Sequence, residues 1–196
     1  MKRKISGWVV VIIVMLIIIW AVMDIIKSRR EYAAIVEVET QYIMESNPGI
    51  SKDDINSIID TVNERSILYN RDPFFYLVLI KIESGFNVHA IGARGEIGLM
   101  QILPGTAMAL SSYLVKMKYM KEMLNDPIFN IQMGIDYFEK IISECSNNLS
   151  QAIRIYNAGP INIDNGKKHE IKIMREYAKV KNLIAGLTNI GILAAE

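Results

Sequence analysis

The apolar positions of the chain follow two patterns, one at the N-terminus and another beyond residue 50. No polar residue interrupts the sequence from Trp8 to Met23. With Ile5, Ser6 and Gly7 the stretch reaches about 19 residues, close to the roughly 20 that cross the core of a bilayer. Beyond residue 50 the apolar residues recur at helical spacing, without the alternation of strands. The pattern predicts an all-α, mainly helical domain preceded by an N-terminal transmembrane helix.

The N-terminal stretch is interpreted as an uncleaved membrane anchor, which places residues 5–26 in the membrane. It is long for the apolar region of a signal peptide, and no convincing small-x-small cleavage site follows it. A cleaved signal peptide is the alternative interpretation. Three basic residues flank the stretch on each side, so the positive-inside rule does not orient the anchor. They are Lys2, Arg3 and Lys4 before it, and Lys27, Arg29 and Arg30 after it.

Changes in pattern divide the chain into four segments. Residues 1–26 are an N-terminal tip and the anchor, and residues 27–50 are a connector with a mixed amphipathic pattern. Pro48 and Gly49 favour a turn that ends the connector. A helical domain is expected at residues 51–183, followed by an apolar C-terminal tail at residues 184–196.

Capping signals mark where the helices of the domain begin. Ser51 and Asp54 form a capping box, and Asp72 precedes Pro73 as a cap before a first-turn proline. The run FFYLVLIKIE after Pro73 is nearly all apolar, so we expect that helix to be central and buried. Further boundaries are predicted at Pro104, which ends a short helix, at Asp126–Pro127 and Ser150, which begin two helices, and at residues 167–183, the last helix.

Composition and charge narrow the classes of function. The net charge of +1 and the lack of a basic stripe with interleaved aromatic residues argue against a nucleic-acid partner. Cys145 is the single cysteine, which excludes an intramolecular disulfide and a cysteine-based zinc cluster. His89 and His169 are isolated and have no metal-ligand spacing, so no metal and no other cofactor is implied.

One carboxylate, Glu83, follows the most apolar helix of the domain. It shares a helical face with Tyr76, Leu79 and Ile80. Either its side chain reaches solvent at the helix end, or it lies at the floor of a cleft. Burial favours the neutral form of a carboxyl group, which is the form a general acid needs. A glycine-rich segment follows at once and is expected to be a packed loop, a common place for functional residues.

Four motifs follow one another across the domain. They read ESGF at 83–86, GEIGLMQILPGTA at 95–107, DPIFNIQMGIDY at 126–137 and IYNAGP at 155–160. In content and order they resemble the lytic transglycosylase domain of the soluble-lytic-transglycosylase type, which is related to goose-type lysozyme. The chain departs from that pattern at Glu96, where alanine is commonest, and at Ile155, where alanine usually precedes Tyr156. Ile173 and Met174 also replace a Glu-Thr pair.

The resemblance implies an enzyme that acts on peptidoglycan strands and cleaves the β-1,4 bond between N-acetylmuramic acid and N-acetylglucosamine. Glu83 would protonate the leaving oxygen and then act as base on the C6 hydroxyl of the same muramic acid. That hydroxyl would attack C1 and give a 1,6-anhydro end without consuming water. One carboxylate is then sufficient, whereas most glycoside hydrolases need two.

The resemblance also implies a set of substrate-binding residues around Glu83. Ser84 would hydrogen-bond the catalytic carboxyl or the substrate, and Gln101 would contact an N-acetyl group. Tyr156 would place its hydroxyl near Glu83, and Asn157 would steady the loop. The full set is Ser84, Gly98, Met100, Gln101, Tyr156, Asn157 and Ala158.

Two alternative functions remain open at the level of sequence. If Glu96 reached the cleft and activated a water, the enzyme would be a hydrolysing lysozyme, whereas an exposed loop residue beside Arg94 is the simpler interpretation. A non-catalytic glycan-binding module of a wall-spanning machine is the other alternative. Asp136 and Glu139 lie in a helical pattern and are expected to be solvated.

The implied activity places the domain on the cell-wall side of the cytoplasmic membrane. The tip at residues 1–6 would then be cytoplasmic, and the protein would cross the membrane once. Protein partners in a wall-spanning complex are compatible with the connector at residues 27–50.

Overall fold

A computed structural model describes residues 7–111 and 116–189, which form eight α-helices and no strand. The helices are α1 Gly7–Ser46, α2 Lys52–Tyr69, α3 Pro73–Ser84, α4 Pro104–Leu110, α5 Met117–Leu124, α6 Pro127–Glu144, α7 Leu149–Ala158 and α8 Lys167–Asn189, with a one-turn 3₁₀ helix at Ile163–Gly166. The predicted all-α class is confirmed. The tip at residues 1–6 and the end of the tail at residues 190–196 lie outside the described residues.

The predicted caps of three helices are confirmed. Ser51 Oγ accepts from the backbone N–H of Asp54 at 3.0 Å and donates to the Asp54 carboxylate at 2.7 Å. Asp72 and Asp126 each accept from a backbone N–H in the first turn that follows, at 2.9 and 2.7 Å. These bonds satisfy N–H groups that have no partner inside the helix.

The helix boundaries predicted at Ser150 and Pro104 are wrong, and the last helix, predicted at residues 167–183, continues to Asn189. Asn148, and not Ser150, caps α7, because its side chain accepts from the N–H of Gln151 at 3.0 Å. Pro104 begins α4 instead of ending a helix. Proline has no N–H to lose at a first turn, so this position suits it better than a helix end.

Helix α3 is the centre of the domain, as its apolar sequence predicts. Every side chain from Phe74 to Ile80 is buried, so neighbours must cover the helix on all sides. Helices α1, α2 and α8 pack against it, and Phe138 of α6 stacks on Phe75 with ring centroids 5.4 Å apart.

Helix α1 joins the apolar N-terminal stretch to the domain without a break. The side chains of residues 8–20 and 22–26 are exposed, and the helix is long and apolar enough to cross a membrane. Further along the same helix, Tyr42 and Ile43 belong to the domain core. The segment expected to be a connector therefore contributes core residues as well as length. At 40 residues the helix is about 60 Å long.

The expectation that Glu139 is solvated is wrong. Its carboxylate receives a bidentate pair of hydrogen bonds from Arg71, at 2.5 and 2.8 Å, and a third from Tyr76 at 2.7 Å. Asp136 is partly exposed and accepts from Arg65 and Tyr69 at 3.1 and 2.8 Å. These charge-assisted bonds join α6 to the segment that leads into α3.

A second carboxylate, Glu39, is fully buried where α1 docks on the domain. Its Oε2 accepts from Asn63 Nδ2 at 3.1 Å, but its Oε1 is buried without a partner among the described residues. Burial is the main cause that raises the pKa of Glu39 to about 7, and the charges of Asp72 and Asp60 add to it. The docked helix therefore binds a proton more tightly than the unfolded chain does.

We expect Glu39→Gln to stabilise the domain at pH 8 by on the order of 3 kcal/mol, and to change little at pH 4.5. A raised pKa in the folded state gives stability that is present below the unfolded value of 4.5 and is lost as the pH rises through about 7. Thermal unfolding of the full chain in neutral detergent, followed by circular dichroism at both pH values, measures the effect. Glu37→Gln, an exposed site on the same helix, is the control. An equal effect at both pH values would contradict the explanation.

Candidate active site

Glu83 lies in the last turn of α3, where the buried helix reaches the edge of the domain. Gly85 ends the helix at φ 61° and donates its N–H to the carbonyl of Lys81 at 2.9 Å. Glycine adopts this left-handed conformation without strain, so the chain turns sharply just after Glu83. The Glu83 side chain is 10% exposed. It is thus held by a rigid helix and is still reachable from outside.

The loop that follows α3 is packed, as expected, and folds back on itself. Phe86 is fully buried and meets the Tyr42 ring edge-on, with centroids 6.0 Å apart. Ile97 and Ile102 exchange two backbone hydrogen bonds, at 3.0 and 3.1 Å, which close the GLMQ turn between them. The backbone of this turn is therefore fixed by the core on one side and by its own hydrogen bonds on the other.

The amide of Asn130, on α6, fastens this turn to the domain. The N–H of Met100 donates to Asn130 Oδ1 at 2.8 Å, and Asn130 Nδ2 donates to the carbonyls of Ile97 and Leu124 at 2.8 and 2.9 Å. Asn130 is fully buried. Gly98, at φ 77°, lies against this amide, and a Cβ there would overlap it. The motif asparagine and the motif glycine thus fit each other directly.

Met100 lies in the core and not in the cleft. Its side chain is fully buried, and Gly134 of α6 gives it room, because a Cβ at Gly134 would overlap the methionine side chain. Its carbonyl accepts from the Tyr156 hydroxyl at 2.7 Å. Met100 therefore supports the floor of the site from below.

A cleft of about 210 Å³ opens beside Glu83. The predicted residues Glu83, Gln101, Tyr156 and Asn157 line it, together with loop residues that the prediction did not include, namely Gly92, Ala93, Arg94 and Glu96. The other predicted residues, Ser84, Gly98, Met100 and Ala158, do not line it. The Ser84 hydroxyl donates back to the carbonyl of Ile80 at 3.2 Å.

Tyr156 forms the inner wall of the cleft. Its ring packs against Tyr137 and Phe138, with centroids 5.5 and 5.6 Å away. Burial, followed by the charge of Glu83, raises the pKa of Tyr156 well above its usual value. The phenol is therefore a neutral hydrogen-bond donor over the physiological pH range, and it lies close enough to Glu83 to feel its charge.

Glu96 lines the same cleft but is engaged with Arg94. The two oxygens of its carboxylate accept from Arg94, one from the side-chain Nε at 2.6 Å and one from the backbone N–H at 2.9 Å. Burial alone would raise the pKa of Glu96, but hydrogen bonds from its own backbone N–H and from Arg94 outweigh it and lower the pKa. The predicted proximity to Arg94 is confirmed, whereas the predicted exposure is wrong, since Glu96 is 8% exposed.

His169 contacts Glu83, which the sequence analysis did not predict. The imidazole Nε2 lies 2.9 Å from Glu83 Oε1, and both side chains are largely buried. The two residues are 86 positions apart and come together because α8 crosses the end of α3. Within residues 7–111 and 116–189, Glu83 Oε2 makes no hydrogen bond to protein. In the same ranges no group of three His, Cys, Asp or Glu side chains is placed to hold a metal ion.

Comparison with known proteins gives one family. A model described as the transglycosylase SLT domain matches residues 60–177. The soluble lytic murein transglycosylases of Salmonella typhimurium and Escherichia coli K12 are each 33% identical over 91 residues. These alignments cover 44% of this chain and 14% of either relative, so the chain matches a small part of their length.

A solved structure has a similar fold. The lytic transglycosylase Slt of Pseudomonas aeruginosa, determined as an inactive mutant, aligns with a TM-score of 0.55 at 18% identity. The alignment covers 64% of this chain and 24% of that one. At this level of identity the likeness concerns the fold alone.

We expect Asn130→Asp to destabilise the domain by about 2–4 kcal/mol and to reduce binding of any ligand in the cleft. Aspartate has the shape of asparagine but no N–H to donate, so the buried carbonyls of Ile97 and Leu124 would face a carboxylate. Chemical unfolding of the full chain measures the change. Asn125→Asp is the matched control, because the Asn125 amide bonds one carbonyl at an exposed position. Equal effects of the two substitutions would show that the Asn130 bonds do not hold the turn.

Proposed function

The chain belongs to the transglycosylase SLT domain family, and on this basis we propose that it is a lytic transglycosylase that cleaves peptidoglycan. The observation that carries the proposal is the setting of Glu83. The Glu83 carboxylate projects from the end of a buried helix into a polar cleft, beside Gln101, Tyr156 and Asn157. That setting supports proton transfer to and from a bound glycan by one group.

In the proposed reaction Glu83 serves first as acid and then as base. Its proton passes to the glycosidic oxygen between N-acetylmuramic acid and N-acetylglucosamine as the bond from that oxygen to C1 breaks. The C6 hydroxyl of the muramic acid then bonds to C1 and returns its proton to Glu83. The products are a 1,6-anhydro end and a free C4 hydroxyl, and no water is consumed. Glu83 Oε2 has no protein partner among the described residues, which suits contact with substrate.

His169 is the proposed hydrogen-bond partner of Glu83 during these proton transfers. Its Nε2 lies 2.9 Å from Oε1, so one proton can be shared between the carboxyl and the imidazole. This contact fixes Oε1 of the Glu83 carboxyl group at the end of α3 and leaves Oε2 for the substrate.

The walls of the cleft supply polar contacts to the glycan. Gln101 Nε2 is held by the carbonyls of Ala90 and Gly98 at 3.3 and 2.9 Å, which fixes the amide for an N-acetyl group. Arg94 joins the two sides of the cleft, since its Nη2 donates to the carbonyl of Asn157 at 3.4 Å. These contacts favour a preformed site for a neutral sugar.

Hydrolysis is the second candidate reaction, because Glu96 lines the same cleft and its carboxylate stays ionised. A carboxylate in that state can activate a water on the far side of a sugar. Both of its oxygens are already engaged by Arg94, however, which favours a structural role.

The proposal includes a single-pass anchor at residues 5–26, with the domain on the cell-wall side of the cytoplasmic membrane. The unbroken helix α1 supports it, since the exposed apolar segment runs directly into the domain core. The domain would then work close to the membrane, within reach of partners in a wall-spanning complex.

We expect wild-type protein to produce 1,6-anhydro ends from purified peptidoglycan, and Glu83→Gln to lower the rate by at least about 100-fold. The amide keeps the size of the side chain but cannot donate an acidic proton. Mass spectrometry after borohydride reduction identifies the ends, because anhydro ends resist reduction.

Glu96→Gln is the matched control for this experiment, since it changes the other carboxylate of the cleft. The proposal requires that it still give anhydro ends. Reducible ends from the wild type, lost in Glu96→Gln, would assign hydrolysis instead. A folded wild type that binds glycan and releases no product would assign a binding module.

We expect His169→Leu to lower kcat/KM by about tenfold and His169→Gln to keep most of the activity. Leucine leaves Glu83 Oε1 without the partner that lies 2.9 Å away, whereas glutamine can still donate a hydrogen bond to it. Rates of release of anhydro-ended fragments at one fixed pH measure the effect. Equal activities of the two variants would show that this hydrogen bond does not position the carboxylate.

A further inference from the structure

The domain has two opposite ends, and the candidate active site occupies one of them. At that end His169 of α8 contacts Glu83 in the last turn of α3. At the other end Lys181, twelve residues further along α8, donates to Asp72 just before α3 at 2.8 Å. Helices α3 and α8 are therefore antiparallel, and the cleft lies about 16 Å along α3 from the level of Asp72.

Helix α1 leaves the domain at the end that bears Asp72. Asn47, just after α1, donates to the carbonyl of Phe86, just after α3, at 3.0 Å. Glu39, eight residues earlier, is close enough to Asp72 for that charge to raise its pKa. Following α1 back towards its apolar segment therefore leads away from the cleft. We call this end of the molecule the anchor end and define it as residues 27–34, 67–72 and 179–189.

The exposed face of α2 changes from polar to apolar as it approaches the anchor end. Helix α2 runs back along α1, and Asn63 donates to Glu39 at 3.1 Å. Its last turn exposes Ile67 and Leu68, whose residues are 83% and 61% exposed. Apolar residues grouped at one end of a polar face indicate a contact surface. The other exposed residues of α2 are all polar, namely Lys52, Asp53, Asn56, Asp60 and Glu64.

Helix α8 extends past the core towards the apolar segment of α1. Its residues 182–189 carry no charge, and Leu183 is 56% exposed. From the level of Asp72, α8 descends about 12 Å beyond Lys181, and α1 descends about 18 Å from Glu39 to residue 27. Helix α8 thus ends about 6 Å from the level at which the apolar segment begins. The headgroup layer on each side of a bilayer has a similar thickness, about 5–7 Å.

Basic residues outnumber acidic ones at the anchor end. The acidic residues are Glu31 and Asp72, and the basic ones are Lys27, Arg29, Arg30, Arg71, Lys179 and Lys181. Arg29 and Arg30 are exposed and pair with no carboxylate in the part of the chain that the structure describes. The other four form ion pairs within the protein. Exposed cations beside apolar side chains are typical of surfaces that contact anionic lipid headgroups.

We propose that the anchor end lies on the surface of an anionic bilayer. Leu183, Ile67 and Leu68 enter the headgroup layer, and a tilt of about 20°, the average for transmembrane helices, brings the end of α2 down to it. Arg29 and Arg30 contact lipid phosphates. This inference rests on the proposed function, because it takes α1 to cross the membrane. The contact adds a second attachment to that of the anchor and holds the cleft on the side away from the lipid.

Spin labels measure this contact in the full chain, placed one chain per nanodisc. Cys145→Ser removes the native thiol, and Leu68→Cys, Leu183→Cys or Ile91→Cys then carries the label. Ile91 is the matched control, because it is also apolar and 76% exposed but follows α3 at the end that bears the cleft. With phosphatidylglycerol in the disc, we expect labels 68 and 183 to be about threefold less accessible to a water-soluble nickel chelate than in phosphatidylcholine alone, and label 91 to be unchanged.

A further label, at Leu16→Cys, separates this inference from the proposed anchor. If label 16 is protected from the chelate while labels 68 and 183 are as accessible as label 91, the anchor stands and the inference fails. If label 16 is accessible, both fail. Equal accessibility in the two lipids would also overturn the inference, since it removes the attraction to anionic headgroups. Protection that requires two chains in one disc would assign the anchor end to a second copy of the chain instead.

Discussion

The burial of α3 is the constraint on which the rest of the molecule depends. Seven consecutive side chains, Phe74–Ile80, are removed from water, so the helix needs cover on every side. Helices α1, α2, α6 and α8 supply it, and each comes from a different part of the chain. The end of such a helix is a rigid place for a functional carboxylate, because Glu83 cannot move unless the core moves.

The cleft is built from two distant parts of the chain that are joined by buried hydrogen bonds. The turn that carries Gln101 is fastened to α6 by Asn130, and the same turn receives the Tyr156 hydroxyl from α7. Gly98 and Gly134 permit these close approaches, since a Cβ at either position would overlap its neighbour. Residues of the family motifs therefore act in two ways, some by facing the cleft and others by holding its wall.

Structural features that depend on neighbouring residues could be predicted from the sequence, whereas contacts between helices could not. The caps at Ser51 and Asp72, the buried α3 and the packed loop after Glu83 depend on neighbours within a few positions, so they could be predicted. Four of the eight site residues predicted from the motifs line the cleft, namely Glu83, Gln101, Tyr156 and Asn157. His169 reaches Glu83 only because α8 crosses α3, and no spacing in the sequence encodes that crossing.

The burial of two carboxylates, Glu139 and Glu39, was not predicted from the sequence for the same reason. Glu139 follows a helical pattern that is typical of a solvated face, and its burial depends on Arg71, from the loop before α3, and on Tyr76 of α3. Glu39 lies in a mixed stretch of α1, and its burial follows from docking against α2. When the hydrogen-bond partner of a carboxylate lies on another element, the residues around the carboxylate in the sequence do not indicate that it is buried.

The continuity of α1 has a geometric consequence for the position of the domain. With residues 8–26 in a bilayer, the eight residues 27–34 that precede Ile35, the first residue of α1 to pack against the core, form a rigid post about 12 Å tall. One residue added to this post would turn the whole domain by about 100° around the helix axis and lift it by about 1.5 Å. The direction in which the cleft faces is therefore set by the number of residues in the post. Insertions or deletions preserve this direction only in steps of about seven or eleven residues.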